Sequence, residues 1–169
     1  QAVTTDDFVQ AIAQASGHDL TQFYRWYEQS GTPRLSSHGQ FDAKLRRYHL
    51  RLKQVDCDLT QAHPALQMPI VTALFDRQGN PLTTRCDGGA EANHQHTLNL
   101  TGAEQEFVFD DVDTPPVPSL LRGFSAPVIL DTDHDDADLA VLMGHDNDPF
   151  NRWDAGQRLA RQQILAWLD

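Results

Sequence analysis

The sequence predicts a mainly β fold, an immunoglobulin-like antiparallel β-sandwich with a short helical segment at each end. Residues 32–130 hold several short apolar stretches, alternating or continuous, broken by frequent turn residues. Helical spacing of apolar residues marks the stretches on either side. A length of 169 residues gives room for one substantial core and little more.

In the amino-terminal segment, residues 1–31, Thr4 or Thr5 caps a first helix carrying Phe8, Ile12 and Ala15, and Gly17 stops it. Asp19-Leu20-Thr21-Gln22 has the form of a capping box with an acid at its head. It opens a second helix with Phe23, Trp26 and Tyr27, which is expected to end at Ser30-Gly31 before Pro33. Four aromatics, Phe8, Phe23, Trp26 and Tyr27, then need a covering surface, and helices this short are marginal alone.

Between residues 32 and 130 the period becomes that of strands. Tyr48, Leu50 and Leu52 point to one face while Arg47, His49, Arg51 and Lys53 point to the other. Ile70 to Phe75 is a continuous apolar run closed by the turn Asp76-Arg77-Gln78-Gly79-Asn80-Pro81. Residues 97–100 and 106–109 are further short strands, separated by Thr101-Gly102. Pro115, Pro116 and Pro118 mark an edge, and Phe124 to Leu130 reads as a last strand, also at an edge because it contains Pro127. In the final segment, 131–169, one helix begins at Asp135 or Asp136 and ends near Gly144. Another begins at Asp148-Pro149 or Asn151 and carries Trp153, Leu159, Ile164, Leu165 and Trp167. Apolar helices at both ends, and a start without Met, read as a piece excised from a longer chain.

The net charge of −11 disfavours nucleic acid and anionic membranes as partners, since phosphates are repelled at long range. No apolar run reaches the roughly 18 residues of a membrane span. Gln1 to Asp7 has neither the basic start nor the apolar stretch of a signal peptide. Two cysteines, Cys57 and Cys86, are too few for a disulfide framework and point to a reducing compartment, the cytoplasm.

Candidate chemistry is sparse. His94 and His96, placed on a strand, share a face, but two ligands fall short of the three or four a zinc site needs, and no H-E-x-x-H occurs. Asp131-Thr132-Asp133-His134-Asp135 begins like a calcium loop, then fails at Asp136, where Gly is required, and at Leu142, where Glu is required. The acids from Asp131 to Asp148 therefore read as helix-start residues and as solubilising charge on a connector. Lys44, Arg46, Arg47, Arg51 and Lys53 form a basic stretch that reads as a solvated strand face opposite neighbouring acids, since Tyr48 falls on the other side. Ser16, Ser30 and Ser119 lie outside any G-x-S-x-G frame, and neither cysteine has a flanking context that lowers its pKa. Asn99-Leu100-Thr101 matches a glycosylation sequon, without weight in a cytoplasmic protein. No residue is assigned a catalytic, metal-binding or substrate-binding role.

Three stretches, in order, resemble one family. Phe23-Tyr24-Arg25-Trp26-Tyr27-Glu28-Gln29-Ser30-Gly31-Thr32-Pro33 resembles the helix-to-sandwich junction of the bacterial aminopeptidase N family, zinc-dependent gluzincins. Phe107-Val108-Phe109-Asp110 and Pro116 to Val128 resemble the end of that sandwich. Asp148-Pro149-Phe150-Asn151-Arg152-Trp153-Asp154-Ala155-Gly156-Gln157 resembles the opening of its carboxy-terminal helical domain. The resemblance implies a parent that removes amino-terminal residues from peptides, using a zinc ion held outside this segment. It further implies that residues 1–31 end a catalytic domain, 32–130 form the sandwich and 131–169 begin the helical domain. Those other domains would be the segment's partners, peptides the parent's substrates, and the segment alone inert. A free-standing immunoglobulin-like binding module is the alternative, disfavoured because the loops 77–81 and 101–105 carry no aromatic platform. The apolar faces of Phe23, Trp26, Trp153 and Trp167 are expected to drive self-association.

Overall fold

The computed structural model of the chain describes residues 3–55 and 64–167. Cys57 lies outside the described residues. Two helices lead in, α1 (Thr5–Ser16) and α2 (Thr21–Glu28). Thr4 caps α1 through a reciprocal capping box with Asp7, and Gly17 ends it in the left-handed region at φ 70°. The capping box expected at Asp19 does not form. The Asp19 carboxylate accepts from the Thr21 amide instead, because the Gln22 side chain is drawn away to donate to the carbonyls of Ala65 and Thr101. Helix α2 also stops earlier than expected, with Gln29 already extended.

Eight strands follow among the described residues: β1 (Arg34–Asp42), β2 (Arg47–Gln54), β3 (Met68–Phe75), β4 (Arg85–Cys86), β5 (His96–Leu100), β6 (Glu104–Asp110), β7 (Val117–Ser119) and β8 (Ile129–Thr132). They form two sheets, one ordered β4-β6-β2-β1-β8 and the other β5-β3-β7. Every pairing is antiparallel except that of β1 with β8, which is parallel and puts Arg34 opposite Ile129. The alternation read on β2 holds, with Tyr48, Leu50 and Leu52 buried. The last strand, expected over 124–130, begins only at Ile129 and runs to Thr132. Phe124 belongs instead to a short 3₁₀ turn, and Pro127 precedes the strand. Its edge position is as expected, since β1 is its one strand neighbour among the described residues.

The core lies between the sheets, built from Leu35, Leu50, Leu52, Met68, Ile70, Leu74, Leu100, Phe107 and Phe109 among others. Trp26 of α2 packs against it. The continuous apolar run of β3 has a direct cause: its end is buried on both faces. Leu74 faces the sandwich core, whereas Ala73 and Phe75 face outward into a second cluster. That cluster is completed by Val117 and by two further helices, α3 (Asp136–His145) and α4 (Pro149–Ala166), through Leu139, Leu142 and Ala155. Asp135 caps α3 in a capping box with Asp138, and Asp148 caps α4 ahead of Pro149.

Candidate functional site

The most built polar feature is the seam between sandwich and helices. After β7 the backbone makes a tight turn in which Leu121, Gly123 and Phe124 all take left-handed conformations, at φ 57°, 62° and 55°. Such angles cost a non-glycine residue about 1 kcal/mol or more each. The turn aims Arg122 inward, beside the ring of Phe75 at 5.9 Å. Its Nη1 lies 2.7 Å from Asp146 Oδ1 and donates to Ser119 Oγ at 3.0 Å. Its Nε donates to Gln95 at 2.9 Å, and Nη2 donates to Asn147.

The surrounding groups close the network. Ser119 Oγ donates to Asp146 Oδ2 at 2.6 Å and accepts from Asn151 Nδ2 at 2.9 Å. Asn151 donates also to the Leu120 carbonyl. Asp146 accepts from the Asp148 amide, while Asp148 accepts from the amides of Gly123, Phe150 and Asn151. Burial works against the Asp148 charge. The amides of Asn151 and Gly123, the Arg122 guanidinium and the Phe150 amide outweigh it and hold the carboxyl below its ordinary value. One side chain each from the β7 turn and the α3–α4 connector thus bury opposite charges with their partners satisfied. A second contact supports the seam: Gly79, in the turn after β3 at φ 86°, sits against the His145 ring so closely that a Cβ would lie 2.1 Å from it.

At the other end of the sandwich, α2 is fastened by side chains donating to carbonyls of one short segment. Trp26 Nε1 donates to Gln67 at 2.8 Å, Arg25 to Ala65 at 2.7 Å and Gln29 to Pro64 at 2.9 Å. The expectation that Trp26 lacks a cover is therefore corrected. Phe8, Phe23, Tyr27, Trp153 and Trp167 do remain exposed. On the seam's outer side the rings of Phe124 and Phe150 meet in a tilted contact, centroids 3.9 Å apart, and Trp153 follows at 5.6 Å from Phe150.

The residues considered for chemistry are dispersed. His94 is not on a strand. Its Nδ1 lies by Thr83 Oγ1 and the Leu82 carbonyl, while His96, which opens β5, contacts Thr84 Oγ1 through Nε2. Among the described residues no three His, Cys, Asp or Glu side chains form a group that could hold a metal ion. Burial pushes the half-buried Cys86 thiol up to about 12, assisted by Asp87 and Asp110, so it is a poor nucleophile. The basic face of β2 does meet acids on its neighbour: Arg47 pairs with Asp110 at 2.7 Å, and Arg51 lies near Glu104 and Glu106. In the acidic run, Asp131 pairs with Arg34 and Asp133 with His38.

Asp146 overturns the reading of these acids as solubilising charge, since it is wholly buried. Arg122, Asn147 and Asn151 had no signal in composition or periodicity. Arg122 is a charged residue inside an apolar stretch, Leu120 to Phe124, flanked by a glycine, and that placement is the one local trace of its burial.

Known proteins match this arrangement over almost the whole chain. A family model described as an Ig-like fold domain of unknown function, DUF3458, matches residues 31–133, and its companion DUF3458_C, described as ARM repeats, matches 136–169. Aminopeptidase N of Escherichia coli is 42% identical over 166 residues, covering 96% of this chain and 19% of that protein. Aminopeptidase N of Caulobacter vibrioides is 39% identical, over 98% of this chain and 18% of that protein. Aminopeptidase N of Haemophilus influenzae is 36% identical, over 97% and 19%. The crystal structure of Legionella pneumophila aminopeptidase A in complex with aspartic acid superposes with a TM-score of 0.84 at 32% identity, over 99% of this chain and 18% of that one. The chain spans about a fifth of the length of the curated relatives it matches. By its sandwich and by these matches, the chain belongs to the Ig-like DUF3458 family and is homologous to a segment of the bacterial aminopeptidases N.

Proposed function

We propose that this chain is the interdomain sandwich segment of a zinc-dependent aminopeptidase that releases amino-terminal residues from peptides, and that its own role is architectural. The observation carrying this reading is the Arg122–Asp146 network, which fastens the sandwich to the helices that follow it. A buried, fully bonded ion pair at a junction fixes an angle, because tilting either partner strands a charge away from water. Residues 1–31 are taken as the end of the catalytic domain, 32–130 as the sandwich and 131–169 as the start of the closing helical domain. The exposed rings of Phe8, Phe23, Trp153 and Trp167 are then the surfaces that those domains cover. Among the described residues no group of His, Cys, Asp or Glu side chains could hold a metal ion, and we assign the zinc and the groups that polarise the scissile carbonyl to the parent's other domains. We place the parent in the cytoplasm.

The test compares the two lengths. The purified chain is expected to show no hydrolysis of amino-acid anilides with added Zn²⁺, while the full-length parent turns them over and loses that activity to a chelator. Anilide turnover that tracks this chain through purification overturns the reading, as does a parent without H-E-x-x-H upstream of Gln1.

A further inference from the structure

We propose that His134 is a pH-sensitive latch on the sandwich–helix seam, whose protonation releases α3 and α4 from the sandwich. The inference is independent of the parent's activity. His134 lies two residues past the end of β8 and is 9% exposed, lining one cleft with residues of β7, β8, α3 and α4 and another with Tyr48 of β2. Nδ1 lies 3.1 Å from Thr132 Oγ1, the same hydroxyl oxygen that accepts from Arg158 Nη2 of α4. Arg158 takes one lone pair of that oxygen, and the hydroxyl proton can point at Nδ1 as acceptor in a neutral ring. Nε2 is buried and makes no hydrogen bond among the described residues. A second proton would turn Nδ1 into a donor, obliging the hydroxyl to rotate and accept from ring and guanidinium together, and would place a cation beside Arg158.

The charged and titratable groups around the ring come from every neighbouring element. Arg158 and Asp154 are on α4 and Asp138 is on α3, with Asp133 just before it. Tyr48 of β2 and Arg77 of the turn after β3 line the cleft of about 170 Å³ on the ring's other side. The acids favour a proton, but more weakly than burial opposes it. Asp133 pairs with His38 at 2.9 Å, and Asp138 caps α3 through Oδ2, while its buried Oδ1 lies 3.2 Å from Arg77 without a hydrogen bond. Burial, followed by the Arg158 charge, outweighs Asp138, Asp133 and the Pro118 carbonyl and lowers the imidazole pKa from 6.5. The neutral form therefore belongs to the folded seam. The unfolded chain takes up its proton as pH falls through about 6.5, and stability declines from there down to the folded pKa.

Urea unfolding of this chain at about pH 7.5 and about pH 5.2, followed by circular dichroism, reads the effect. The wild-type unfolding constant is expected to rise several-fold, towards a ceiling of roughly 20-fold for an imidazole that titrates only when unfolded. His134→Gln should remove that rise, while His145→Gln retains it. An equal rise in His134→Gln overturns the proposal. Should His134→Gln not fold, an NMR titration of the wild-type ring decides. An inflection below 6.5, accompanied by amide shifts confined to α3, α4 and β7, supports the latch. An inflection at or above 6.5, or shifts spread through both sheets, overturns it.

Discussion

Arg122 and Asp146 meet at 2.7 Å with both side chains withdrawn from water, tying the turn after β7 to the end of α3. Removing one partner leaves the other charged, buried and unpaired, which costs about 3–5 kcal/mol. Arg122→Leu and Asp146→Leu are each expected to lower stability by that order in urea unfolding. The double substitution should recover much of the loss, since no charge is then stranded. A double variant as unstable as the sum of the two would show that the pair is not coupled.

Gly79→Ala tests the second seam contact. The left-handed φ and the His145 ring both oppose a methyl group there, at a combined cost of about 2–4 kcal/mol. Adding His145→Ala should restore the steric part only, and differential scanning calorimetry of the wild type, the two single variants and the double variant separates the two contributions.

Trp26→Phe keeps most of the packing of α2 on the core but strips the bond to the Gln67 carbonyl. The expected loss is about 1 kcal/mol. Trp26→Ala should cost about 3 kcal/mol, because packing is lost too. Amide exchange along α2 is the more direct readout, and it should quicken in both variants.

Acid behaviour below the histidine range depends in part on Asp148. Its folded carboxyl titrates below the ordinary 3.8, so its contribution is complete above that value and is lost as pH falls through the folded pKa. Asp148→Ala is expected to cost about 1 kcal/mol at neutral pH through the lost cap of α4. It should also flatten the acid limb of the stability profile below about pH 4, as followed by circular dichroism.

Strand and helix positions were legible where a single periodicity decides them. Tyr48, Leu50 and Leu52 announce β2, and Thr4 with Gly17 bounds α1, because these signals are local. Strand β1 was not, since Ser36 to Gln40 is polar and its partners are supplied by β2 and β8. The buried network was hidden for a related reason. Arg122 and Asp146 stand 24 residues apart, and an arginine or aspartate looks the same in sequence whether it faces water or another charge. The resemblance to a family reached further than the residues alone, because the stretches that carry it, Pro116–Val128 and Asp148–Gln157, contain or border that network.

The chain enters the sandwich along β1 and leaves it along β8, side by side and in the same direction. A pull between the amino-terminal helices and the carboxy-terminal helices therefore slides the two strands past each other. Their hydrogen bonds are loaded in shear, all together, and cannot be peeled one at a time from an end. A spacer wired in this way resists stretching at its weakest-looking edge, and an atomic-force experiment should find the β1–β8 contact to be the mechanical clamp.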